Sequence, residues 1–451
     1  MVELLNQLFT ADNFRKIFDY ENRKGHYIED LFFPEIELIT KELKSCAYNI
    51  RTLKKNKLNV SLEDYEKEKS ALYNKTELLK KRKYELLTKE LEKISDEITT
   101  GKYKFKIKEV STKSTKKVFN VEKDACGFFA IKQLQFNLSK LYKVQQSNRY
   151  NIVKQLSNVL NDQFPKVIFR TDINNFYESI PIDKVLKKIC SEHLLTSSSK
   201  SFIKQIIADY KKISTTSYGV PRGIGISAYL SELYMRRFDY EIRHHSEIIF
   251  YARYVDDIII IISPKPNSDP EIIIDALKSD IASLELTINS LKTSTLSLLQ
   301  PKNCSFEYLG YTFSFGTSGF SLSLSSNRLL KYKKRIDLTF QNYHSTSKHN
   351  EKRSRKLLIK RIKFLTGNTR LLNNKKNALV GIYFSNSLIT DSSCLTEIDK
   401  HLMNEVKKIT APSLNRRLNT MSFKLGFDER RFHKFSSDDL AQIVKVWKHV
   451  A

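Results

Sequence analysis

The sequence predicts an α+β fold in which a mixed core is flanked by helical regions on both sides. Within residues 167–315, short apolar runs typical of strands alternate with segments of helical periodicity. Residues 43–99 are rich in Lys, Glu and Leu and contain neither Pro nor Gly, which favours helix. From residue 327 onward the chain is again helical in pattern, and it is strongly basic.

The first element is a helical region, predicted over residues 1–101. Leucines recur there at roughly helical intervals, namely Leu72, Leu78, Leu79, Leu86, Leu87 and Leu91. One interpretation is a coiled-coil arm that mediates oligomerisation, and the other is a hairpin of amphipathic helices packed on the body. Because the apolar repeat is not a clean heptad, the sequence favours the packed hairpin.

The second element is a basic strand or hairpin within residues 102–117. Tyr103, Phe105 and Ile107 alternate with lysines, and Ser and Thr residues typical of a turn follow them. Helical periodicity then resumes over residues 124–160. A conventional domain is therefore predicted to begin near residue 102.

The central element brings acidic residues to the ends of predicted strands. Residues 167–169 are typical of a buried strand, and Asp172 follows them. Residues 253–262 predict a β-hairpin with Asp256 and Asp257 at its turn. Three such carboxylates can hold two Mg²⁺ ions about 4 Å apart, an arrangement that supports phosphoryl transfer. A pair of Asp residues in a turn can also do no more than favour the turn.

The last element is helical and basic, with cation-rich runs at residues 331–335 and 352–363. Apolar Leu357, Leu358, Ile362 and Leu365 recur at helical spacing in the second run. One face of this helix is therefore expected to pack while the other meets phosphate. The candidate phosphate contacts are Lys331, Lys333, Lys334, Arg335, Arg353 and Lys360.

The composition narrows the class of partner. The formal charge of +27, from 77 Lys and Arg against 50 Asp and Glu, indicates a polyanion, and nucleic acid is the leading candidate. No stretch approaches the roughly 20 apolar residues of a membrane-spanning helix, so we expect no membrane partner. The five cysteines stand singly, which argues against a disulfide framework or a zinc site. The first residues lack a secretory signal, and we expect a cytoplasmic protein.

Four ordered motifs resemble the palm of reverse transcriptases. They are Asp172 with Phe176 and Tyr177, GVPRG at 219–223, the run Tyr254, Val255, Asp256 and Asp257, and FEYLGY at 306–311. The resemblance covers roughly residues 102–330. It implies a right-hand polymerase fold with an antiparallel palm sheet. The expected parts are a helical N-terminal region (1–101), fingers and palm (102–325), and a helical basic thumb with the C-terminal region (326–451).

The resemblance also implies a role for each matching residue. Asp172, Asp256 and Asp257 would be catalytic ligands of two Mg²⁺ ions, with Mn²⁺ as an alternative. Tyr177 would be the steric gate that excludes a ribose 2′-OH, although an ordinary core aromatic would look the same. The nucleotide would also contact Pro221, Arg222 and Gly223 and a fingers cation, Lys116 or Lys117, while residues 309–311 would form the primer grip. Lys292, in NSLKT, would protonate the departing pyrophosphate, although a surface lysine is the simpler interpretation.

Arg222 departs from the family pattern, since many reverse transcriptases carry Gln after this Pro. Arg has a permanent charge and a fixed fork of donors. The departure therefore bears on template selection and fidelity.

The chain looks most like the standalone bacterial reverse transcriptases that include abortive-infection and antiphage defence-associated members. The segments RGIGISAYLSELYM and NRYNIVKQL carry this resemblance. It implies an RNA-directed DNA polymerase that uses dNTPs to copy an RNA template, a noncoding RNA, into DNA. It also implies a second reverse transcriptase or a further copy of the chain as a partner.

Three alternative functions share parts of the pattern. An RNA-dependent RNA polymerase has the same palm, but Tyr177 and the Tyr-Val-Asp-Asp turn favour DNA synthesis. A template-independent or protein-primed DNA polymerase of the abortive-infection type would extend DNA without copying. A catalytically silent RNA-binding scaffold is the third alternative, and the presence of all three aspartates argues against it.

Overall fold

The computed structural model describes residues 6–56, 61–111, 116–162, 164–216, 218–299, 303–316, 319–371 and 378–447 of the 451-residue chain. Its N-terminal part is helical. The helices are α1 (Ala11–Arg23), α2 (Glu29–Phe32), α3 (Pro34–Lys55) and α4 (Leu62–Thr99). Helices α3 and α4 pack against each other through Ile39, Cys46 and Leu79. The C-terminal half of α4 enters a larger core through Leu87 and Leu91, so the packed hairpin is what the structure shows.

A small antiparallel hairpin follows. Strands β1 (Ile107–Val110) and β2 (Val118–Val121) pair in register from Ile107 opposite Val121 to Val110 opposite Val118. Of the strand or hairpin predicted within residues 102–117, the strand is confirmed, but it begins at Ile107, later than the alternating pattern suggested, and its partner β2 lies beyond that range. Residues 112–115 of this segment lie outside the described residues. Helices α5 (Ala125–Leu141) and α6 (Arg149–Leu160) come next, as predicted.

A four-stranded antiparallel sheet lies at the centre of the molecule, with strand order β4-β5-β3-β6. Helices connect its strands. In chain order the elements are β3 (Val167–Asp172), α7 (Phe176–Ser179), α8 (Ile182–Ser191), α9 (Ser197–Ser214), α10 (Ser227–Arg243), β4 (Ile248–Tyr254), β5 (Asp257–Ile262), α11 (Pro270–Ser283) and β6 (Ser294–Ser297). The strand at residues 167–169 and the hairpin within residues 253–262 are thereby confirmed.

The inner strands are buried on both faces, because helices or further strands cover each side. On β3, Phe169 packs into one core while its neighbour Ile168 packs into the other. The run from Ile258 to Ile262 alternates between the same two cores. This double burial explains why β5 is a continuous apolar run rather than an alternating one.

The C-terminal part pairs a three-stranded meander with helices. Its elements are β7 (Cys304–Tyr308), β8 (Tyr311–Gly316), β9 (Gly319–Leu324), α12 (Ser326–Ser347), α13 (Glu351–Thr366), β10 (Asn368–Arg370), β11 (Leu379–Gly381), α14 (Cys394–Lys407), α15 (Pro412–Asn419), α16 (Phe423–Asp428) and α17 (Ser437–Val444). The FEYLGYTFSF run, which looked like one strand, is two strands. Leu309 and Gly310 form the turn between them with φ values of 46° and 76°, and Gly adopts such values without strain.

The α+β class, the antiparallel central sheet and the helical flanks are therefore as the sequence predicts. The boundaries at residues 101 and 325 stay predictions. None of the helices in the described part of the chain is long and apolar enough to cross a membrane.

Candidate active site

Strand β3 and the β4–β5 hairpin bring three carboxylate residues to one end of the central sheet. Asp172, the last residue of β3, stands opposite Asp257, the first residue of β5. Tyr254 also pairs with Asp257, so Val255 and Asp256 form a two-residue turn. The Ile173 N–H donates to the Asp256 carbonyl at 3.1 Å, which fastens the turn to the end of β3.

The turn has an unusual backbone, and a buried arginine supports it. Val255 has a φ of 63°, which costs a β-branched residue about 1–2 kcal/mol. Arg253, only 3% exposed, donates to the Val255 carbonyl at 3.0 Å. Its guanidinium also donates to Glu232 and to Asp239, each at 2.7 Å from Nη2. The position of Asp256 therefore depends on an ion-pair network that reaches back into α10.

The carboxylates are crowded and partly buried. Burial raises the pKa of Asp256, and repulsion from Asp172 and Asp257 adds to the rise. Burial likewise raises the pKa of Asp257, and Asp172 contributes while Arg170 opposes it. Each negative charge is therefore unfavourable without a nearby cation, and a cation bound between the carboxylates would relieve the repulsion.

Two side-chain cations already contact this cluster. Lys292 Nζ donates to Asp172 Oδ2 at 2.9 Å, and this hydrogen bond raises the pKa of Lys292. The Asn289 N–H donates to the Asp172 carbonyl at 2.7 Å, which holds the following turn with Lys292 beside the aspartate. Arg170 Nη2 lies 3.4 Å from Asp257 Oδ1.

The donor chemistry suits a hard divalent cation, because every candidate ligand atom is a carboxylate oxygen. As placed, however, no three His, Cys, Asp or Glu side chains of the described residues are grouped closely enough to hold a metal ion. Lys292 and Arg170 engage two of the carboxylates instead. Metal binding at this cluster would require the aspartate side chains to turn toward one another.

Tyr177 and Arg222 form a unit beside the carboxylates. The Val220 N–H donates to the Tyr177 carbonyl at 2.7 Å, so the GVPRG loop and α7 are joined. The Arg222 guanidinium lies 5.1 Å from the centre of the Tyr177 ring. It also donates two hydrogen bonds to Glu178, at 2.9 and 3.1 Å. The charge of Arg222 is thus compensated within the protein, which its sequence position did not indicate.

The GVPRG loop requires glycine where it meets the small hairpin. Gly223 has a φ of 101°, and a Cβ there would lie 2.6 Å from the Phe119 carbonyl oxygen. The Phe119 N–H donates to the Arg222 carbonyl at 2.7 Å, so β2 holds the loop from outside. The Pro221 carbonyl accepts from the Ser227 hydroxyl at 2.7 Å, which ties the loop to the start of α10.

Lys117 is not brought to the aspartates. It forms an ion pair with Glu109 at 3.5 Å across the β1–β2 hairpin, and no described contact joins it to the carboxylate cluster. The predicted primer grip, residues 309–311, directly follows Tyr308, whose hydroxyl donates to the Asp257 carbonyl at 3.3 Å. The Leu309 carbonyl accepts from Arg149 Nε at 2.7 Å.

The predicted phosphate contacts of the C-terminal helices fall into two groups. Lys333 pairs with Glu397 and Lys360 pairs with Asp439, each at 2.5 Å. Arg335 is half-buried, and its carbonyl accepts from the Trp447 indole. Among the six predicted contacts, those that are exposed and make no ion pair within the described residues are Lys331, Lys334 and Arg353.

Several important side chains escaped the sequence interpretation. Arg170 lies two positions before Asp172. Residues at this spacing lie on the same face of a strand, so the sequence did indicate that Arg170 is close to the carboxylates. Arg253 directly precedes the Tyr-Val-Asp-Asp run, but its partners Glu232 and Asp239 come from α10. Those long-range contacts have no local signature.

Comparison with known proteins agrees with this geometry. Residues 94–313 match the family model "Reverse transcriptase (RNA-dependent DNA polymerase)". No curated protein matches the chain. Reverse transcriptase domains use divalent metal ions, which the oxygen-rich cluster fits.

Solved structures with a similar fold include telomerases from two yeasts. An apo telomerase from Candida tropicalis, truncated from the C-terminal domain, is 14% identical with a TM-score of 0.37, over 48% of this chain and 54% of that one. A telomerase from Candida albicans in complex with a fragment of telomeric RNA is 13% identical with a TM-score of 0.38, over 70% and 66%. This chain thus spans about half to two thirds of those telomerase chains.

The family match accounts for the antiparallel sheet, the carboxylate-bearing hairpin and the helical flanks as a right-hand polymerase fold. Over residues 94–313, just under half of its length, the chain therefore matches a reverse transcriptase domain, a nucleotidyltransferase module.

Proposed function

We propose that the protein is an RNA-directed DNA polymerase that adds dNTPs to a primer while copying RNA. The observation that carries this proposal is the pairing of Asp172 with Asp257 beside the Asp256 turn. This pairing lies inside the part of the chain that matches the reverse transcriptase family.

Asp172, Asp256 and Asp257 would hold two Mg²⁺ ions, with Mn²⁺ as an alternative. When bound, such ions activate the attacking oxygen and stabilise the charge on the phosphates. The raised pKa values of Asp256 and Asp257 support this assignment, because crowded, partly buried carboxylates favour a cation. Arg170 would then act as a positioning residue that orients Asp257.

Lys292 is proposed as the acid that protonates the leaving pyrophosphate from its Nζ. Its ammonium form is stabilised by the hydrogen bond to Asp172, so it carries a transferable proton at neutral pH. Its Nζ contacts Asp172 directly, so it lies where the phosphates of a bound nucleotide would be placed. Pro221, Arg222 and Gly223 would form the backbone surface under that nucleotide.

Tyr177 is proposed as the gate against ribonucleotides. Its ring is fixed on one side by Arg222, and Arg222 is fixed in turn by Glu178. A ring that packs against a guanidinium held in place by a carboxylate cannot easily move aside for a 2′-OH. Arg222 would therefore select the sugar indirectly, through the ring, in place of a direct template contact. Lys117 remains a candidate triphosphate contact, which would require it to leave Glu109.

The biological setting that we propose is antiphage defence in the bacterial cytoplasm, with a noncoding RNA as the template. The resemblance of residues 148–156 and 222–235 to defence-associated members supports this setting. The net charge of +27 supports a stably bound RNA. A second reverse transcriptase or another copy of this chain is proposed as a protein partner.

A template-independent or protein-primed DNA polymerase is the second candidate function. The observation that favours it is the pairing of Arg222 with Glu178. This pairing engages the Arg222 side chain, which would otherwise be available to contact the template strand. Products of such an enzyme would not match any RNA that copurifies with the protein.

The test is Mg²⁺-dependent dNTP incorporation by the purified protein with its copurifying nucleic acid, followed by sequencing of the product. The matched variant is Asp256→Asn Asp257→Asn. Incorporation that the variant loses, with a product complementary to bound RNA, supports the proposal. An untemplated product supports the second candidate, and no incorporation even with added RNA would indicate a silent scaffold.

A further inference from the structure

A cavity of about 580 Å³ lies beside Arg253, the residue that supports the Val255–Asp256 turn. Its wall includes the α5–α6 connection and the outer face of α10. Arg253, which supports the Val255 carbonyl, forms part of the same wall together with Glu232 and Asp239. The cavity is therefore separated from the aspartate cluster by this ion-pair network, and none of the proposed catalytic residues lines it.

The cavity is strongly positive. The cations that line it include Lys143, Lys188, Arg236 and Arg243. Both lining acids are already engaged, because Glu232 and Asp239 each accept hydrogen bonds from Arg253.

The available positive charge is concentrated on two side chains. Arg237 also faces the cavity, but Glu241 neutralises it at 2.7 Å. Lys143, Arg236 and Arg243 make no ion pair within the described part of the chain, but Arg243 is engaged by the Tyr251 ring, whose centre lies 5.6 Å from its guanidinium. Lys143 and Arg236 remain. Two exposed cations beside a concave wall favour an anionic ligand.

An aromatic surface lies beside these cations. Tyr240 lines the cavity and is 62% exposed, so its ring is accessible to a ligand in the cavity. Its ring stacks on His244 with a centroid distance of 4.0 Å. The His244 Nδ1 contacts the Tyr240 carbonyl at 2.7 Å, so both rings are held on the helix. A fixed aromatic face next to cations is the combination that binds a nucleobase and its phosphate.

We propose that this cavity is a second binding site for a nucleotide unit, with the base on Tyr240 and the phosphate on Lys143 and Arg236. Its volume lies within the roughly 300–1,000 Å³ range of small-ligand sites. The same chemistry is offered by a free nucleotide and by one unit of a single strand. The experiment separates these two sources.

The test uses full-length protein freed of nucleic acid by high-salt washing. Two photoreactive probes are compared, 8-azido-ATP and a single-stranded RNA 12-mer that contains 4-thiouridine, and cross-linked peptides are identified by mass spectrometry. The test variants are Lys143→Glu Arg236→Glu and, separately, Tyr240→Ala. The control is Lys75→Glu Lys89→Glu on α4, which changes the net charge equally at exposed positions away from the cavity.

We expect cross-links within residues 236–244, and we expect the charge-reversal variant to lower their yield by about tenfold or more through loss of two phosphate contacts. The control should stay within about twofold, and Tyr240→Ala should weaken binding by a factor on the order of ten through lost stacking. Labelling by the ATP probe identifies a free nucleotide, and labelling by the oligonucleotide alone identifies a strand. Absence of cavity cross-links from both probes, or an equal loss in the control, would overturn the proposal. Matching thermal unfolding curves check that each variant is folded.

Discussion

At the scale of single residues, the candidate site brings like charges together and compensates them with fixed cations. Burial and mutual repulsion raise the pKa values of Asp256 and Asp257. Lys292 and Arg170 offset part of that repulsion from opposite sides of the cluster. The functional roles of these residues should therefore be separable, since a carboxylate would bind metal whereas Lys292 would transfer a proton.

Replacing Lys292 with Ala should lower kcat for nucleotide incorporation by about 10²-fold, the usual scale of general acid catalysis. KM for the dNTP should change much less, because the aspartates and the GVPRG loop remain. Pre-steady-state incorporation on a primed RNA template measures both constants. Lys278→Ala is the control, because Lys278 is exposed and pairs only with Asp275. An unchanged kcat in Lys292→Ala would contradict the proton-transfer role.

Replacing Tyr177 with Ala should reduce the preference for dNTP over rNTP by at least about tenfold, which corresponds to about 1.4 kcal/mol. The reason is steric, since the ring and not its hydroxyl would exclude the 2′-OH. Tyr177→Phe should therefore keep the preference. The measurement is the ratio of kcat/KM for dCTP and rCTP. Equal ratios in the Ala variant and the original protein would show that Tyr177 is an ordinary core aromatic.

At the scale of elements, the β4–β5 hairpin holds the site, and α10 holds the hairpin. The sequence predicted the hairpin because its signals are local, namely apolar strand residues on both sides of two acids. It did not predict the support from α10. Arg253 meets Glu232 and Asp239 across 21 and 14 residues, and nothing in the intervening chain indicates that pairing.

Replacing Arg253 with Met should lower the free energy of unfolding by about 3–5 kcal/mol, because Glu232 and Asp239 would be left buried without a counter-charge. Urea unfolding followed by circular dichroism measures the change. The matched control is Arg237→Met, which breaks an exposed pair with Glu241 and should cost less than about 1 kcal/mol. A similar small loss in both variants would mean that the network does not support the hairpin.

Strands β7 and β8 show a second limit of local patterns. Most side chains of FEYLGYTFSF are apolar or aromatic on both sides of the turn, so the pattern does not reveal where the first strand ends. Gly310 was the available signal, since it permits the positive φ of 76° that the turn adopts. Arg149 approaches Gly310 from a distant helix, so the close contact between its guanidinium and this glycine was not predictable.

At the scale of the whole molecule, the central sheet separates two cores, and positive charge is spread around both. The class of fold was predictable, because each strand and helix has its own periodicity. The sheet order β4-β5-β3-β6 was not evident from any local pattern, and the family resemblance implied only that the palm sheet is antiparallel. The net charge could likewise be counted from the sequence, but the ion pairs of Lys333 and Lys360 with acids distant in the chain could not be predicted from it.

Removing the exposed cations Lys331 and Lys334 together should weaken binding to a primer–template duplex and reduce the slope of log K against log salt by about 1.8, or 0.9 per phosphate contact. The control is Lys333→Ala Lys360→Ala, which removes two lysines that already pair with acids and should change the slope much less. Fluorescence anisotropy over a salt series measures both slopes. Equal slopes in the two double variants would show that Lys331 and Lys334 of α12 do not contact the duplex.

The most direct test of the central claim is single-nucleotide incorporation by Asp172→Asn on a primed RNA template with Mg²⁺. The control is Asp275→Asn, an exposed aspartate on α11. We predict a loss on the order of 10³-fold in Asp172→Asn, because several kcal/mol of transition-state stabilisation depend on the metal ligands. The control should retain full activity. Comparable incorporation by both variants would contradict a metal-dependent polymerase site at Asp172.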